Sequence, residues 1–274
     1  MSRLWADPVY GPLARELYGR CGLVFEGGQA QLFRKRLARR AEELGYPSPR
    51  AYVRRIVDAR DEGEFERLVE MLTVNETYFF REEEHFHLLL DEFWPQWTRR
   101  GDPAIRVWSA ACSIGCEPYT LAMLLHEKEM GGSGWRRVEI VGSDVNGRVV
   151  EQARRGLYGE FALRNTSTYY RQRYFRKEGY LYRLAPEIRE RVVFRKHNLL
   201  HPESSPPLGR FHAVLCRNAM IYFDLEAKRR VVADLVRALT PGGVLLVGRS
   251  ESLFHVPEAP PLVTVHGTLA YQVP

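Results

Sequence analysis

Polar side chains stand directly after the apolar runs in the second half of the chain. The first run is followed by Cys112-Ser113-Ile114-Gly115, and the next two are followed by Asp144 and Asn198. Arg217-Asn218 and Arg249-Ser250-Glu251 stand at the ends of two later runs. If these runs are strands of an open α/β sheet, their carboxyl ends form the edge where a ligand binds. These residues are therefore the first candidates for a binding site.

Asp144 and the turn before it indicate which ligand this edge could hold. The turn SAACSIGCEP has one glycine where a dinucleotide-binding fingerprint has three, so a pyrophosphate is poorly supported. The carboxylate of Asp144, which stands 29 residues after Gly115, can accept hydrogen bonds from both hydroxyls of a ribose. The alternative is that Asp144 caps the helix that follows it. Together the signals favour a nucleoside without phosphates, and they suggest an S-adenosylmethionine site.

The elements that must position these residues alternate between strand and helix from about residue 104 onward. This alternation predicts an open, mostly parallel sheet with helices on both faces. Residues 262–273 resemble a hairpin that adds an antiparallel strand, and residues 159–190 interrupt the alternation as a small inserted subdomain. The predicted strands are 105–112, 138–145, 191–200, 211–223 and 242–250, and the predicted helices are 117–129, 146–156 and 225–239.

The first 74 residues have a different pattern and predict a small helical domain. Phe33, Leu37, Ala41 and Leu44 recur at helical spacing as one apolar stripe. Residues 31–60 hold nine Lys and Arg and three acids, so the net charge of this segment is +6 and equals that of the whole chain. A basic face of this kind fits nucleic acid, a membrane surface or an acidic protein helix, and it also fits a merely solvated helix face.

Composition excludes several classes of protein. With 274 residues, 45% of them hydrophobic and 27% charged, the chain is neither disordered nor fibrous. No apolar window approaches the length of a membrane span, and Asp7-Pro8 interrupts any signal peptide. Four scattered cysteines indicate neither a disulfide framework nor a metal site. We expect a cytoplasmic protein with reduced thiols and no metal.

Six motifs, in order and with compatible spacing, resemble those of the CheR family of chemotaxis receptor methyltransferases. The resemblance implies a helical domain (1–74), a linker that contributes to the cofactor site (75–103) and a Rossmann-like class I methyltransferase domain (104–274). It also implies transfer of a methyl group from S-adenosylmethionine to glutamate carboxylates of chemoreceptor helices, leaving glutamate methyl esters and S-adenosylhomocysteine. The motifs are LTVNETYFFREEEHF (72–86), RVWSAACSIGCEPYTLAML (106–124), SDVNGRVVEQARRGLY (143–158), FRKHNLL (194–200), FHAVLCRNAMIYFD (211–224) and LTPGGVLLVGRSESL (239–253).

The resemblance also implies a set of cofactor-binding residues with individual roles. Arg81 would hold the methionine carboxylate, Glu117 its ammonium and Asp144 the ribose, while Asn198 and Leu199 would frame the adenine. Structural alternatives remain: Arg81 could pair with the acids after it, Asn75 and Thr77 could cap a helix that ends near Leu72, and Arg217 could be structural. The implied cofactor-binding residues are Asn75, Thr77, Arg81, Glu117, Asp144, Asn198, Leu199, Arg217 and Asn218.

Two residues are predicted to act on the reacting groups. Tyr222 would face the methyl group, orient the incoming carboxylate with its hydroxyl and interact with the sulfonium through its ring. Arg99 would lower the free-energy cost of burying the acceptor carboxylate. Little acid–base chemistry is needed because a glutamate is already ionised at pH 7.

Three departures from the family pattern bear on the site and the partner. Cys116 stands where the family commonly has Glu, and Arg249 stands where it usually has His. The insert lacks the glycine-flanked loop that docks a receptor C-terminal peptide, so we expect no such tether.

The basic helices would instead meet acidic receptor helices through Arg36, Arg39, Arg40, Arg54 and Arg55. We expect a monomer that neither binds nucleic acid nor inserts into a membrane. Two rival hypotheses are a methyltransferase acting on nucleic acid, which the segment RNAMIY disfavours, and a non-catalytic S-adenosylmethionine-binding scaffold.

Overall fold

The computed structural model describes residues 4–102, 104–131, 137–204 and 209–274, and its contacts divide the chain into two compact units. The helical unit comprises Met1–Val74 together with Ile221–Lys228. The sheet unit comprises Asn75–Met220 and Arg229–Pro274. Within the described ranges, no helix is long and apolar enough to cross a membrane.

The helical unit is built from four helices whose starts are marked in the sequence. The side chains of Ser48 and Asp61 accept hydrogen bonds from backbone amides three residues later, which begins the third and fourth helices. Phe33, Leu37 and Ala41 are buried as the apolar stripe predicts, whereas Leu44 is exposed because the second helix ends at Glu43. The helices are α1 (Gly11–Cys21), α2 (Gly27–Glu43), α3 (Pro49–Ala59) and α4 (Glu62–Leu72).

Two of the five arginines predicted to face a partner are engaged inside the helical unit. Arg40 makes two hydrogen bonds to the carboxylate of Glu64, at 2.8 and 2.9 Å, and both side chains are mostly buried. Arg36 donates to the backbone carbonyl of Met71 and is half-buried. Both guanidinium groups thus have acceptors within the helical unit, and a partner-facing role for Arg36 and Arg40 stays a prediction.

The first helices of the sheet unit form a run from Glu84 to Arg100, after which strands and helices alternate. The run consists of α5 (Glu84–His87), a π-helical turn (Leu88–Phe93) and α6 (Trp94–Arg100). The helices that follow are α7 (Cys116–Met130), α8 (Gly147–Arg155), α9 (Thr168–Tyr174), α10 (Pro186–Arg189) and α11 (Leu225–Arg237), of which α11 has its first residues in the helical unit. The strands are β1 (Ala104–Ala110), β2 (Arg137–Asp144), β3 (Leu157–Tyr158), β4 (Phe175–Glu178), β5 (Leu181–Leu184), β6 (Val192–Lys196), β7 (Phe211–Cys216), β8 (Leu239–Val247), β9 (Leu262–Val265) and β10 (Thr268–Gln272).

The main sheet has seven strands in the order β6-β2-β1-β7-β8-β10-β9. The first five strands are parallel, and β10 runs antiparallel to both β8 and β9. All six residues of β7 are buried, as in a strand covered on both faces. The insert forms a separate antiparallel sheet in the order β3-β5-β4. The predicted fold class, with its antiparallel C-terminal strand and β-containing insert, is confirmed.

The fourth strand of the parallel set is shorter than the apolar pattern predicts. Strand β7 ends at Cys216, whereas the apolar residues continue to Phe223. Asn218 has a positive φ of 59°, and a 3-10 turn follows over Met220–Tyr222. Arg217 and Tyr222 therefore lie in the connection after the strand, where side chains can face a ligand, and not within the strand.

The turn after β1 is tightly packed at its glycine. Ala111, Ser113 and Gly115 all have positive φ, so the chain reverses sharply before α7. A Cβ added at Gly115 would lie 2.9 Å from Ala153 Cβ and 2.9 Å from Phe194 Cζ. Glycine is required here by both the backbone conformation and the lack of space.

We predict that Gly115→Ala lowers the free energy of unfolding by about 1–3 kcal/mol more than Gly179→Ala does. Gly179 has a similar positive φ but no atom within 4 Å of an added Cβ, so it reports backbone strain alone. Urea unfolding of both variants gives the comparison. Equal losses would show that the packing at Gly115 contributes nothing.

Candidate functional site

Asp144 joins two of the turns at the carboxyl edge of the sheet. Its Oδ2 accepts from the backbone N–H of Ser113 at 2.9 Å, and its Oδ1 accepts from that of Asn146 at 2.9 Å. Burial raises the pKa of Asp144, and these amide hydrogen bonds oppose that rise. The helix cap is Asn146, whose side chain accepts from the amides of Arg148 and Val149. The alternative in which Asp144 caps α8 is therefore wrong.

Arg217 is a buried cation between two carboxylates. Its side chain is 2% exposed, and its Nη2 and Nη1 lie 3.4 Å from Glu82 Oε2 and Glu117 Oε2, respectively. Nη2 also donates to the backbone carbonyl of Arg81, and the guanidinium lies 5.2 Å from the centre of the Phe86 ring. Such burial is tolerated only because the charge is paired, since an unpaired buried charge is very costly.

Glu117 faces the same cluster from the first turn of α7. Its Oε1 accepts from Ser109 Oγ at 2.6 Å. Burial raises the pKa of the Glu117 carboxyl, while the nearby positive charge of Arg217 opposes the rise. Ser109 and Arg217 therefore hold a carboxylate at the carboxyl edge, where it could bind a cationic ligand group.

Glu82 is a site residue that the sequence reasoning missed. Besides Arg217, it lies 3.5 Å from Asn218 Nδ2 and accepts from the backbone N–H of Arg249 at 3.3 Å. Its φ is 51°, a strained conformation for a non-glycine residue. The neighbouring His85 is buried, and burial together with the charge of Arg217 lowers its pKa to about 4. In the sequence, the four charged residues from Arg81 to Glu84 resembled an exposed surface. The signal that the sequence offered for Glu82 was its position next to Arg81.

Glu251 organises the turns after β7 and β8. It accepts from the backbone N–H groups of Asn218 at 2.6 Å, Met220 at 2.7 Å and Gly248 at 2.8 Å. The sequence placed Glu251 at a strand end but assigned it no role. Its contacts show that it shapes the backbone on which Arg217 and Asn218 are presented.

The segment that begins the sheet unit contacts the turn after β1. The backbone carbonyl of Asn75 accepts from Ser113 Oγ at 3.1 Å, and Thr77 is hydrogen-bonded to the buried thiol of Cys116. Helix α4 ends at Leu72, so neither Asn75 nor Thr77 caps it. Both residues adjoin the candidate ligand edge instead.

Arg81 and Arg249 lie on either side of Glu82 and make different contacts. Arg81 donates from Nη1 to the carbonyl of Glu76 at 3.2 Å. Arg249, at the position where the family usually has His, is 72% exposed and pairs with Glu84 at 2.6 Å. Neither guanidinium is buried as deeply as that of Arg217.

The end of β6 is joined to Asp144 through the backbone. The N–H of His197 donates to the carbonyl of Asp144 at 2.9 Å, which places Asn198 and Leu199 directly beyond this contact. Asn198 Oδ1 accepts from the N–H of Leu200 at 3.0 Å and so closes the turn. Both Asn198 and Leu199 are half-buried. All nine predicted cofactor-binding residues thus belong to the sheet unit and to segments at its carboxyl edge.

The two predicted catalytic residues, Arg99 and Tyr222, stand in other segments of the chain, and their roles stay predictions. Arg99 is exposed and stands near the amino-terminal edge of the sheet. Trp97 donates from Nε1 to Gly242 at the start of β8, and β1 begins only at Ala104. The length of a seven-residue strand, about 20 Å, separates that edge from the carboxyl edge. Tyr222 clusters with the helical unit, where its carbonyl accepts from the N–H of Val24 at 3.2 Å.

The residues present fit S-adenosylmethionine. Among the described residues, Arg217 Nε and Nη1 are buried with no hydrogen-bond acceptor, so donors are available for a carboxylate. Glu117 offers an anion for an ammonium, and each oxygen of Asp144 has accepting capacity beyond its amide bond. A zwitterionic amino acid joined to a ribose matches this donor and acceptor set.

We predict that Glu82→Gln lowers S-adenosylmethionine affinity about 5- to 20-fold, because Arg217 and Asn218 lose the carboxylate that orients them; charged hydrogen bonds contribute on this order. Glu83→Gln is the matched control, since Glu83 is 46% exposed and, within the described ranges of the chain, forms its ion pair with His87, at 3.6 Å. Titration calorimetry gives both affinities. Equal affinity in the two variants would show that Glu82 does not organise the site.

Comparison with known proteins places the whole chain in one family. The model described as "CheR methyltransferase, all-alpha domain" matches residues 10–73, and "CheR methyltransferase, SAM binding domain" matches residues 75–266. The chemotaxis protein methyltransferase of Escherichia coli is 35% identical over 256 residues, which cover 92% of this chain and 86% of that protein. Chemotaxis protein methyltransferase 1 of Pseudomonas aeruginosa is 38% identical over 243 residues, covering 87% and 88% of the two chains. The chain is a member of the CheR methyltransferase family, an S-adenosylmethionine-dependent methyltransferase of class I fold.

Proposed function

We propose that this enzyme methylates glutamate side chains on the cytoplasmic helices of chemoreceptors. The products are glutamate methyl esters and S-adenosylhomocysteine. The observation that carries the proposal is that this chain matches both domains of the family and also has a charged cluster at the carboxyl edge of the sheet. The cluster consists of Glu82, Arg217 and Glu117. A non-catalytic scaffold would not require Tyr222, which the resemblance places at the reacting position.

The cofactor is held by the residues at the carboxyl edge. Arg81 and Arg217 bind the methionine carboxylate, Glu117 its ammonium and Asp144 the ribose hydroxyls. Asn75 and Thr77 border the methionyl part, and the remaining residues of the set, Asn198, Leu199 and Asn218, border the adenine and the reacting end. S-adenosylmethionine supplies the methyl group, and its sulfonium sulfur is the leaving group.

The protein contributes orientation and a dry environment to the transfer. The acceptor carboxylate is ionised at neutral pH, so no base is needed to activate it. Tyr222 donates a hydrogen bond to one carboxylate oxygen and directs the other toward the methyl carbon. Fixing reacting groups in this way can lower a barrier by about 7–11 kcal/mol at best.

The helical unit offers fewer available arginines to a receptor than the number of its basic residues suggested. Arg39 and Arg54 are 80% and 83% exposed, and their ion pairs among the described residues are with acids one helical turn away, while Arg55 is exposed on α3. These three arginines are free to meet the acids of a receptor helix. We further propose that the enzyme acts in the cytoplasm as a monomer, without a receptor-tail tether and without nucleic acid.

Transfer of tritium from labelled S-adenosylmethionine to a receptor cytoplasmic fragment tests the function. The label should be released as methanol by mild base, because a glutamate methyl ester is hydrolysed where an N-methyl group is stable. Mass spectrometry should locate the modification on glutamates of one helix face. Base-stable label, or label on RNA alone, would contradict the proposal.

Tyr222→Phe should keep near-normal cofactor affinity while its turnover number falls about 10- to 100-fold. The ring remains, but the acceptor loses the hydroxyl that orients it. Removing a positioned hydrogen-bonding group commonly lowers a rate by at least this factor. Single-turnover assays with saturating receptor fragment measure the effect. A variant with full turnover would exclude an orienting role for the hydroxyl.

Charge reversal at the exposed arginines should weaken receptor recognition and leave cofactor affinity unchanged. The triple variant Arg39→Glu, Arg54→Glu, Arg55→Glu is expected to raise the receptor Michaelis constant and to flatten its salt dependence, because exposed charges act mainly by steering. The same change at Lys35, Arg50 and Arg60 is the charge-matched comparison. Identical receptor kinetics for the first variant and wild type, at low and high salt, would show that these arginines merely solvate their helices.

A further inference from the structure

The first residues of the sheet unit, which we call the cofactor segment (residues 75–83), form neither helix nor strand. They include Asn75, Thr77 and Arg81 of the predicted cofactor set. A segment without the hydrogen bonds of a helix or a strand keeps conformational freedom that ligand binding must remove. Contacts from other parts of the sheet unit therefore decide how well this segment is prepared to bind.

The insert holds the cofactor segment at Phe79. The backbone N–H of Phe79 donates to the carbonyl of Ala162 at 2.9 Å, in the 3-10 turn Glu160–Leu163 of the insert. The Phe79 ring is fully buried, and its centre lies 4.8 Å from that of Tyr158 and 5.0 Å from that of Phe175. This anchor fixes Phe79, and the residues before it depend on other contacts.

Arg164 of the insert holds two of the residues before this anchor. Its guanidinium carbon lies 3.6 Å from the centre of the Tyr78 ring and 3.8 Å from the centre of the Phe161 ring. Its Nη2 donates to Glu76 Oε1 at 3.1 Å, and its Nη1 donates to the carbonyl of Phe161 at 2.9 Å. Because a cation over an aromatic ring attracts that ring, Arg164 holds Tyr78 and Glu76 against the insert.

Glu76 and Tyr78 are also the residues that Arg81 contacts. Arg81 donates from Nη1 to the backbone carbonyl of Glu76 at 3.2 Å, and its guanidinium carbon lies 5.6 Å from the centre of the Tyr78 ring. Arg81 and Arg164 therefore share two neighbours. The position of the Arg81 guanidinium depends on residues that Arg164 holds in place.

We propose that Arg164 is a positioning residue for the cofactor, which holds Glu76 and Tyr78 in the conformation in which Arg81 binds the methionine carboxylate. The proposal rests on the role given to Arg81 in the proposed function. In this role Arg164 touches neither the methyl donor nor the acceptor. Without its cation, a smaller fraction of molecules has the cofactor segment in the binding conformation, and the apparent affinity falls in proportion to that fraction. The insert contributes to cofactor binding in this way without needing a receptor peptide.

Arg164→Met tests the proposal, and Arg183→Met is its matched control. The two arginines are 27% and 32% exposed and both form ion pairs, but Arg183 pairs with Glu178 inside the β4–β5 hairpin, at 2.7 Å. We expect Arg164→Met to weaken the binding of S-adenosylhomocysteine about three- to tenfold in titration calorimetry, the order expected for a lost cation–π contact. Arg183→Met should match wild type, and both variants should keep the wild-type melting temperature.

Kinetics with a receptor fragment separate positioning from a merely structural role. In Arg164→Met the Michaelis constant for S-adenosylmethionine should rise while the turnover number at saturating cofactor stays at the wild-type value, because bound cofactor selects the binding conformation. Arg164→Lys keeps a cation for both rings and should recover most of the affinity. A lower melting temperature and a lower turnover number, with no recovery in Arg164→Lys, would show that Arg164 only stabilises the fold and would overturn the proposal.

Arg81→Met distinguishes failure of this proposal from failure of the proposed cofactor site. It should weaken the binding of S-adenosylhomocysteine at least as much as Arg164→Met does. Weaker binding in Arg81→Met together with wild-type binding in Arg164→Met would overturn the role of Arg164 alone. Wild-type binding in both variants would overturn the role proposed for Arg81, and that of Arg164 with it. Calorimetry needs no receptor, so these results are independent of the tritium assay that tests the proposed function.

Discussion

The buried guanidinium of Arg217 constrains everything around it at the carboxyl edge of the sheet. A charge that is 2% exposed must be matched within the fold, and Glu82 and Glu117 reach it from two different segments of the sheet unit. Because Glu82 also contacts Asn218 and the backbone of Arg249, the same carboxylate links the turns after β7 and β8. The arrangement leaves Nε and Nη1 of Arg217 without a hydrogen-bond acceptor among the described residues, so these donors are available to the carboxylate of the proposed cofactor.

The need to pair a buried charge also distinguishes the arginines that stabilise the helical unit from those that are available to a partner. Arg40 is matched by Glu64, which also accepts from the hydroxyl of Tyr52, so this arginine stabilises the packing of α2, α3 and α4. Within the part of the chain that the structure describes, the ion pairs of Arg39 and Arg54 are with acids on their own helices, at exposed positions where such pairs contribute little. Displacing those pairs would cost less free energy than displacing the pair of Arg40 with Glu64. The net charge of a segment therefore overestimates the number of its arginines that are available to a partner.

The sequence predicted those features that depend on local pattern or on position at a strand end. Asp144 and Asn198 follow their strands as expected, and the antiparallel hairpin was visible as two short alternating runs. Glu82 was missed and Glu251 was given no role, because their roles arise from contacts with residues 135 and 33 positions away, which no local pattern records. The place of Arg99 in the fold could not be predicted for a related reason: its distance from the motifs in sequence says nothing about which edge of the sheet it reaches. Likewise, apolarity alone could not predict that β7 ends at Cys216, since the turn there is shaped by backbone N–H groups that donate hydrogen bonds to Glu251.

The central claim is that segments distant in sequence converge on one cofactor at the carboxyl edge of the sheet, around Arg217. Hydrogen–deuterium exchange with and without S-adenosylhomocysteine tests this claim most directly. The account predicts slower exchange in peptides that cover residues 75–82, 111–117, 144–147 and 217–220, and unchanged exchange over residues 94–102 at the opposite edge. Protection confined to residues 94–102, or no protection around Arg217, would contradict it.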